Sequence, residues 1–248
     1  MIPLNSCRLM AVVRMFTAIL VVSLTCAAAR AQMLSVWPVN IFLPPGQRAA
    51  TLSVTNSGNS VTGIQVRAYA WNQKDGDDQI TATRMMIVSP PLASIPPGAT
   101  QVVRLVLRQL PQDRESTYRI LVDQIPPLAE AGVVHMVLRL SIPIFAQPKI
   151  RVTAQVQFHV ENHAGKVVLV GVNSGFSHET IRDIVLATSD GRKLKTVSSS
   201  SPYILAGTTQ YWLIETKRNL PQASETLQLT AHALAGAIHQ QVSIVATP

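Results

Sequence analysis

From Gln32 onward, apolar residues recur at every second position in short runs cut by proline, glycine and asparagine, a pattern that fits half-buried β-strands. The first half holds Thr51–Thr55, Ile64–Trp71, Gln101–Leu107 and Tyr118–Val122. Between them stand Leu43-Pro44-Pro45-Gly46, Asn56-Ser57-Gly58-Asn59, Lys74-Asp75-Gly76-Asp77-Asp78, Ser89-Pro90-Pro91 and Ile95-Pro96-Pro97-Gly98, each a turn sequence. The second half reads as further strands over Arg151–Val160, Lys166–Val172, Thr180–Ala187, Gln210–Glu215, Thr226–Ala231 and Ala237–Ala246. Strands at this spacing predict all-β architecture: two immunoglobulin-like β-sandwich domains, over residues 32–148 and 149–248, divided after Pro148. Val54-Thr55-Asn56-Ser57-Gly58 and Val172-Asn173-Ser174-Gly175 end a strand in each half with the same turn.

Residues 1–31 read instead as a secretory signal peptide. Arg8 and Arg14 precede an apolar run from Met15 to Ala29, and Ala29-Arg30-Ala31 offers a small-x-small cleavage site. The run is shorter than the ~20 residues of a membrane-spanning helix, so no stable membrane insertion is expected after cleavage. Cleavage removes Arg8, Arg14 and Arg30 and no acid, lowering the net charge from +8 to +5. Both cysteines, Cys7 and Cys26, leave with it, so the mature chain has no disulfide scaffold, Cys-ligated metal or thiol nucleophile. A lipid anchor on Cys26 is the competing reading, but Ser23-Leu24-Thr25 fits it poorly.

No catalytic constellation emerges from the remaining residues. His159 and His163 are four apart, as in a helical zinc site, but on a strand that spacing is ~13 Å. Asp75, Asp77 and Asp78 begin like a calcium loop without its closing glutamate, and there is no nucleophile elbow, phosphate loop or dinucleotide fingerprint. No enzyme activity, metal or cofactor is expected. The basic residues are scattered through strands rather than clustered, which argues against nucleic acid as a partner.

The informative segment is Gly132–Pro148. In an extended strand Val134, Met136, Leu138, Leu140 and Ile142 share one wholly apolar face, and Val133, His135, Val137, Arg139, Ser141 and Pro143 share the other. This row either packs the domain's own core or, at a sheet edge, serves as a template for another chain.

The stretches Ser89-Pro90-Pro91, Ile95-Pro96-Pro97-Gly98 through Leu105, Leu110–Glu115, Tyr118-Arg119-Ile120, Ile125-Pro126-Pro127 and Leu138–Phe145, taken in order, resemble the periplasmic chaperones of chaperone–usher pilus assembly, in particular their archaic, Csu-like branch. The resemblance implies two immunoglobulin-like domains in a boomerang, localisation in the periplasm, and donor-strand complementation of pilus subunits that pass to an outer-membrane usher. It makes Val134, Met136, Leu138 and Leu140 the donated row. It also implies a cleft that holds the subunit's terminal carboxylate on an arginine and a lysine, but those positions carry Asn40 and Pro143 here. Arg104, Arg119 and Arg139 are then the candidate anchors. Arg104 is preferred for its well-matched motif, and Arg139 is disfavoured because it points away from the apolar row. Glu115 matches an acid that pairs between the domains in the family, although its usual arginine partner is replaced by Gln147. The alternatives are a pilus structural subunit and a secreted carbohydrate-binding sandwich.

Overall fold

The computed structural model describes residues 34–126, 128, 132, 136–163, 166–197, 201–215 and 226–245, so the expected signal peptide and cleavage site, within residues 1–33, and Val134 lie outside the described residues. The described residues are all β, without a helix. The first unit holds β1 (Leu34–Trp37), β2 (Ile41–Leu43), β3 (Ala49–Asn56), β4 (Thr62–Lys74), β5 (Asp77–Ala82), β6 (Met86–Ser89), β7 (Leu92–Ile95), β8 (Thr100–Leu107), β9 (Ser116–Ile125) and β10 (Arg139–Ala146). One sheet runs β1-β3-β8-β6; the other runs β2-β10-β9-β4-β5, with β7 also on β4.

Alternation explains how these sheets face each other. Leu52 and Val54 of β3 and Val103, Leu105 and Leu107 of β8 meet Ile64 and Val66 of β4, Ile120 and Val122 of β9, and Ile142 and Ile144 of β10 in one buried core.

The second unit holds β11 (Val156–His163), β12 (Lys166–Asn173), β13 (Glu179–Thr180), β14 (Arg182–Ala187), β15 (Lys193–Val197), β16 (Tyr203–Ile204), β17 (Thr209–Glu215), β18 (Thr226–Ala233) and β19 (Gly236–Val245). Its ladder closes on itself in the order β11-β12-β17-β15-β14-β18-β19 around a separate core that includes Leu169, Leu186, Trp212, Leu229 and Val242. Two expected strands differ from those observed: Arg151–Gln155 precede β11 rather than opening it, and the run from Thr180 is split at Ile181, whose amide bonds to Pro202 O (2.7 Å).

The repeated turn sequence has the same local chemistry in both units. Asn56 Oδ1 accepts from the Gly58 amide and Asn173 Oδ1 from the Gly175 amide, each at 3.0 Å. Both asparagines are buried, and each spends its side-chain NH2 on backbone carbonyls: Asn56 on Ser60 and Ile95, Asn173 on Ser177, Ile204 and Leu205.

Gly175 is held close against the backbone before β11. A Cβ there meets the Gln155 amide nitrogen at 2.4 Å and the Thr153 carbonyl at 2.6 Å. Backbone cannot yield as a side-chain tip can, so Gly175→Ala is expected to destabilise the second unit by about 1–3 kcal/mol. Thermal unfolding monitored by circular dichroism checks this; an unchanged midpoint refutes the close packing.

Candidate functional site

The site is the open edge of β10. Antiparallel β9 pairs with the whole strand from Arg139↔Asp123 to Ala146↔Ser116, whereas β2 pairs in parallel with Ile144–Ala146 alone. Among the described residues, Arg139–Pro143 therefore have no strand on their second side. The Gln124 amide donates to Leu138 O (2.9 Å), and the Gln147 amide donates to Leu43 O (2.9 Å) on the other side. Alternation between these bonds turns the main-chain groups of Arg139 and Ser141 outward to the open edge. At Pro143 the edge offers a carbonyl but no N–H.

The expected donor row divides along this strand. The strand is shorter than the sequence suggests, because Met136, Val137 and Leu138 lie before β10 begins. Ile142 is 2% exposed and Ile144 is fully buried, so this end of the apolar face packs the domain core. Leu140 is half-buried against it, while Leu138 is 40% and Met136 92% exposed. The core reading holds from Ile142 on; Met136 and Leu138 are left to solvent.

The three candidate arginines do not share one environment. Arg104 is exposed on β8, in the sheet that does not carry β10, and lines a surface groove of about 460 Å3 with Trp37, Asn40 and Phe42. Arg139 and Arg67 both hydrogen-bond to Asp123, with Arg67 Nη2 2.6 Å from Oδ2. Burial works to raise the Asp123 carboxyl pKa, but hydrogen bonds from Arg139 and Arg67 outweigh it and hold the group below its ordinary value. The resulting stabilisation is present above the unfolded pKa and is lost as pH falls through the depressed folded one. Both arginines are well exposed, so it amounts to about 1 kcal/mol or less. Asp123→Asn is expected to remove this acid-sensitive part from a plot of stability against pH.

Arg119 faces Pro143 across the β9–β10 ladder and is mostly buried. Its guanidinium stacks on the Trp71 ring, 3.6 Å from the centroid, and Nη2 lies 3.1 Å from Asp78 Oδ2. Burial draws the guanidinium pKa below its usual value, against Asp78 and Tyr203, which raise it. The Tyr203 hydroxyl donates to Asn40 Oδ1 (3.2 Å), which ties this neutral amide to the second unit.

Below the edge, the end of β10 is built into the junction between the units. Phe145 is fully buried with Trp71, Tyr203 and Leu205, and the His178 ring stacks on it with centroids 3.5 Å apart. The buried Glu115 carboxylate accepts from His178 Nδ1 (2.7 Å), the His178 amide (3.1 Å), Ser177 Oγ (3.0 Å) and Gln147 Nε2 (2.9 Å). Glu115 thus joins the two units, with Gln147 as a neutral donor in its own unit. Sequence reasoning missed His178, because an isolated histidine carries no signal of the carboxylate that folding brings to it.

Residues 33–151 match the family of pili and flagellar-assembly chaperones, PapD N-terminal domain. The chain is similar to the chaperone protein PapD of Escherichia coli, at 32% identity over 107 residues, covering 41% of this chain and 43% of the relative. It is similar also to the chaperone protein FimB/FhaD of Bordetella pertussis, at 26% identity over 132 residues, with 49% and 53% covered. The matches thus span about half the length of these curated relatives. Its fold is like that of the CsuC–CsuE chaperone–tip adhesion subunit pre-assembly complex from archaic chaperone–usher Csu pili of Acinetobacter baumannii, with a TM-score of 0.64 and 21% identity over 87% of this chain and all of that one. The complex of the Salmonella enterica SafA pilin with the SafB chaperone gives 0.59 and 15%, covering 86% and 98%.

Proposed function

We propose that this chain, whose residues 33–151 match the pili and flagellar-assembly chaperones of the PapD type, is an exported, non-enzymatic chaperone that lends the open edge of β10 to an unfinished pilus subunit. The subunit then passes to an outer-membrane usher. The observation that carries this reading is the conjunction of unpaired main chain at Arg139–Ser141 with exposed Met136 and Leu138 beside it. A subunit lacking a strand exposes unpaired backbone together with an apolar groove, and this edge offers a complement to both. In this reading residues 32–148 bind the subunit with Val134, Met136, Leu138 and Leu140, and 149–248 form the second wall of the cleft. The similarity of fold to the Csu complex supports the archaic branch. Co-expression with an exported pilus subunit tests the function: soluble subunit recovered with this chain supports it, and equal recovery without the chain refutes it.

The register supports Arg119 over Arg104 as the carboxylate anchor in this proposal. Arg119 stands opposite Pro143 in the sheet that carries the open edge, near Tyr203, which holds Asn40. Its planar fork can grip a carboxylate with two parallel bonds. Arg119→Ala is expected to weaken subunit binding by about 2–5 kcal/mol, and Arg119→Lys to restore part of it. Titration calorimetry on matched variants decides the matter: loss in Arg104→Ala or Arg139→Ala, with Arg119→Ala unaffected, moves the anchor to that residue.

A further inference from the structure

The β4–β5 hairpin is costly to explain within its own domain. β4 is 13 residues long, and β5 is exposed at all six positions and contributes nothing to the buried core. Its far end, however, reaches the second domain. The two-residue turn Asp75-Gly76 has φ of 54° and 84°, the left-handed pair of a tight hairpin. A Cβ on Gly76 would lie 2.7 Å from Tyr211 Cδ2 and 3.2 Å from Gln210 Oε1, so the turn rests directly against β17. Two residues before the turn, buried Gln73 uses both ends of its amide across the same junction. Its Nε2 donates to Tyr203 O (2.9 Å) and to Asp78 Oδ1 (2.9 Å), while Oε1 accepts from the Leu205 amide (3.0 Å) and Thr208 Oγ1 (2.9 Å).

We propose that this hairpin is an interdomain strut: Gly76 seated on Tyr211, with Gln73 clamped between β16 and β17, fixes the angle between the domains and hence the width of the cleft beside β10. The effect on the cleft rests on the chaperone reading; the bracing of the two domains does not. Glu115 and Phe145 join the domains at the end of β10, whereas Gly76 touches them at the other edge of the same sheet. Contacts at both margins of one sheet resist rotation that a single contact would permit.

The test measures the distance between spin labels on Val102→Cys and Gln228→Cys, exposed on β8 and β18, with Cys7 and Cys26 replaced by serine where the leader is retained. In Gly76→Ala the new methyl must open the 2.7 Å contact by about 1 Å to reach ordinary carbon–carbon separation. Because the contact lies at the end of a long arm, the expected result is a shifted mean distance. Tyr211→Ala in the same background should return it toward the original value, which separates the contact from the backbone strain of alanine at positive φ. Tyr211→Ala alone should broaden the distribution by removing the seat, and it serves if Gly76→Ala does not fold. An unchanged distribution in both single variants overturns the strut. Where the distance shifts, subunit recovery is compared with the parent chain: reduced recovery ties the strut to the cleft, and undiminished recovery overturns the clause linking cleft width to function. Failure of the parent itself to recover subunit counts against the chaperone reading instead.

Discussion

Met136→Asp and Leu138→Asp should each abolish recovery of soluble subunit while leaving the chain folded, whereas Ile142→Asp, on the same face of the same segment, should unfold the first domain. The contrast follows from exposure. Met136 and Leu138 are open to water in the free chain, so a carboxylate there costs little until a partner covers it. Covered, it becomes a buried unpaired charge costing several kcal/mol. At Ile142 the same charge enters the domain's own core at once. Leu138→Ala should weaken the complex by a milder amount, about 2–4 kcal/mol, through the cavity it leaves. Pull-down of subunit alongside circular dichroism of the free variants separates the two effects. Unfolding by Leu138→Asp, or unimpaired capture by the folded variant, would return that residue to a structural role.

The second large effect is expected at Glu115. Glu115→Ala leaves the Ser177 hydroxyl, the Gln147 amide group and both His178 donors without their shared acceptor. Loss of one member of such a buried polar cluster typically costs about 3–5 kcal/mol. Glu115→Gln keeps one acceptor oxygen and should lose less. Trp71 lies in the interdomain core and Trp212 in that of the second domain, so tryptophan fluorescence in Trp71→Phe and Trp212→Phe backgrounds, each also carrying Trp37→Phe, locates the loss. A lowered urea midpoint reported by Trp71, ahead of Trp212, is the expected pattern; coincident and unshifted transitions refute the role of the carboxylate as the interdomain joint.

Much of this architecture was legible because β-structure writes itself into sequence as alternation. Leu52 and Val54, Val103 and Leu105, and Ile120 and Val122 occupy the buried face that their parity predicts. The shared Asn-Ser-Gly turn was legible for a related reason, since an asparagine side chain makes its bonds to backbone nearby. Parity could not show where β10 begins, because Met136 and Ile142 read alike on one face and differ only in whether a second sheet covers them. Nor could it place the arginines. Arg104 and Arg119 stand in similar alternating runs, but strand order puts them in different sheets. The Glu115–His178 pair, 63 residues apart, depends on how two domains meet, which no local pattern encodes.

Pro143 has a consequence for selectivity. A main-chain ladder is blind to sequence: any extended peptide can satisfy the outward groups of Arg139 and Ser141. By withholding the next donor, the proline caps how much a partner gains from backbone pairing alone, and β2 occupies the edge immediately beyond. The edge therefore rewards an indiscriminate strand only slightly and cannot propagate pairing along its length, as an aggregating sheet does. What remains to distinguish one visitor from another is the fit of side chains such as Met136 and Leu138 into whatever groove receives them.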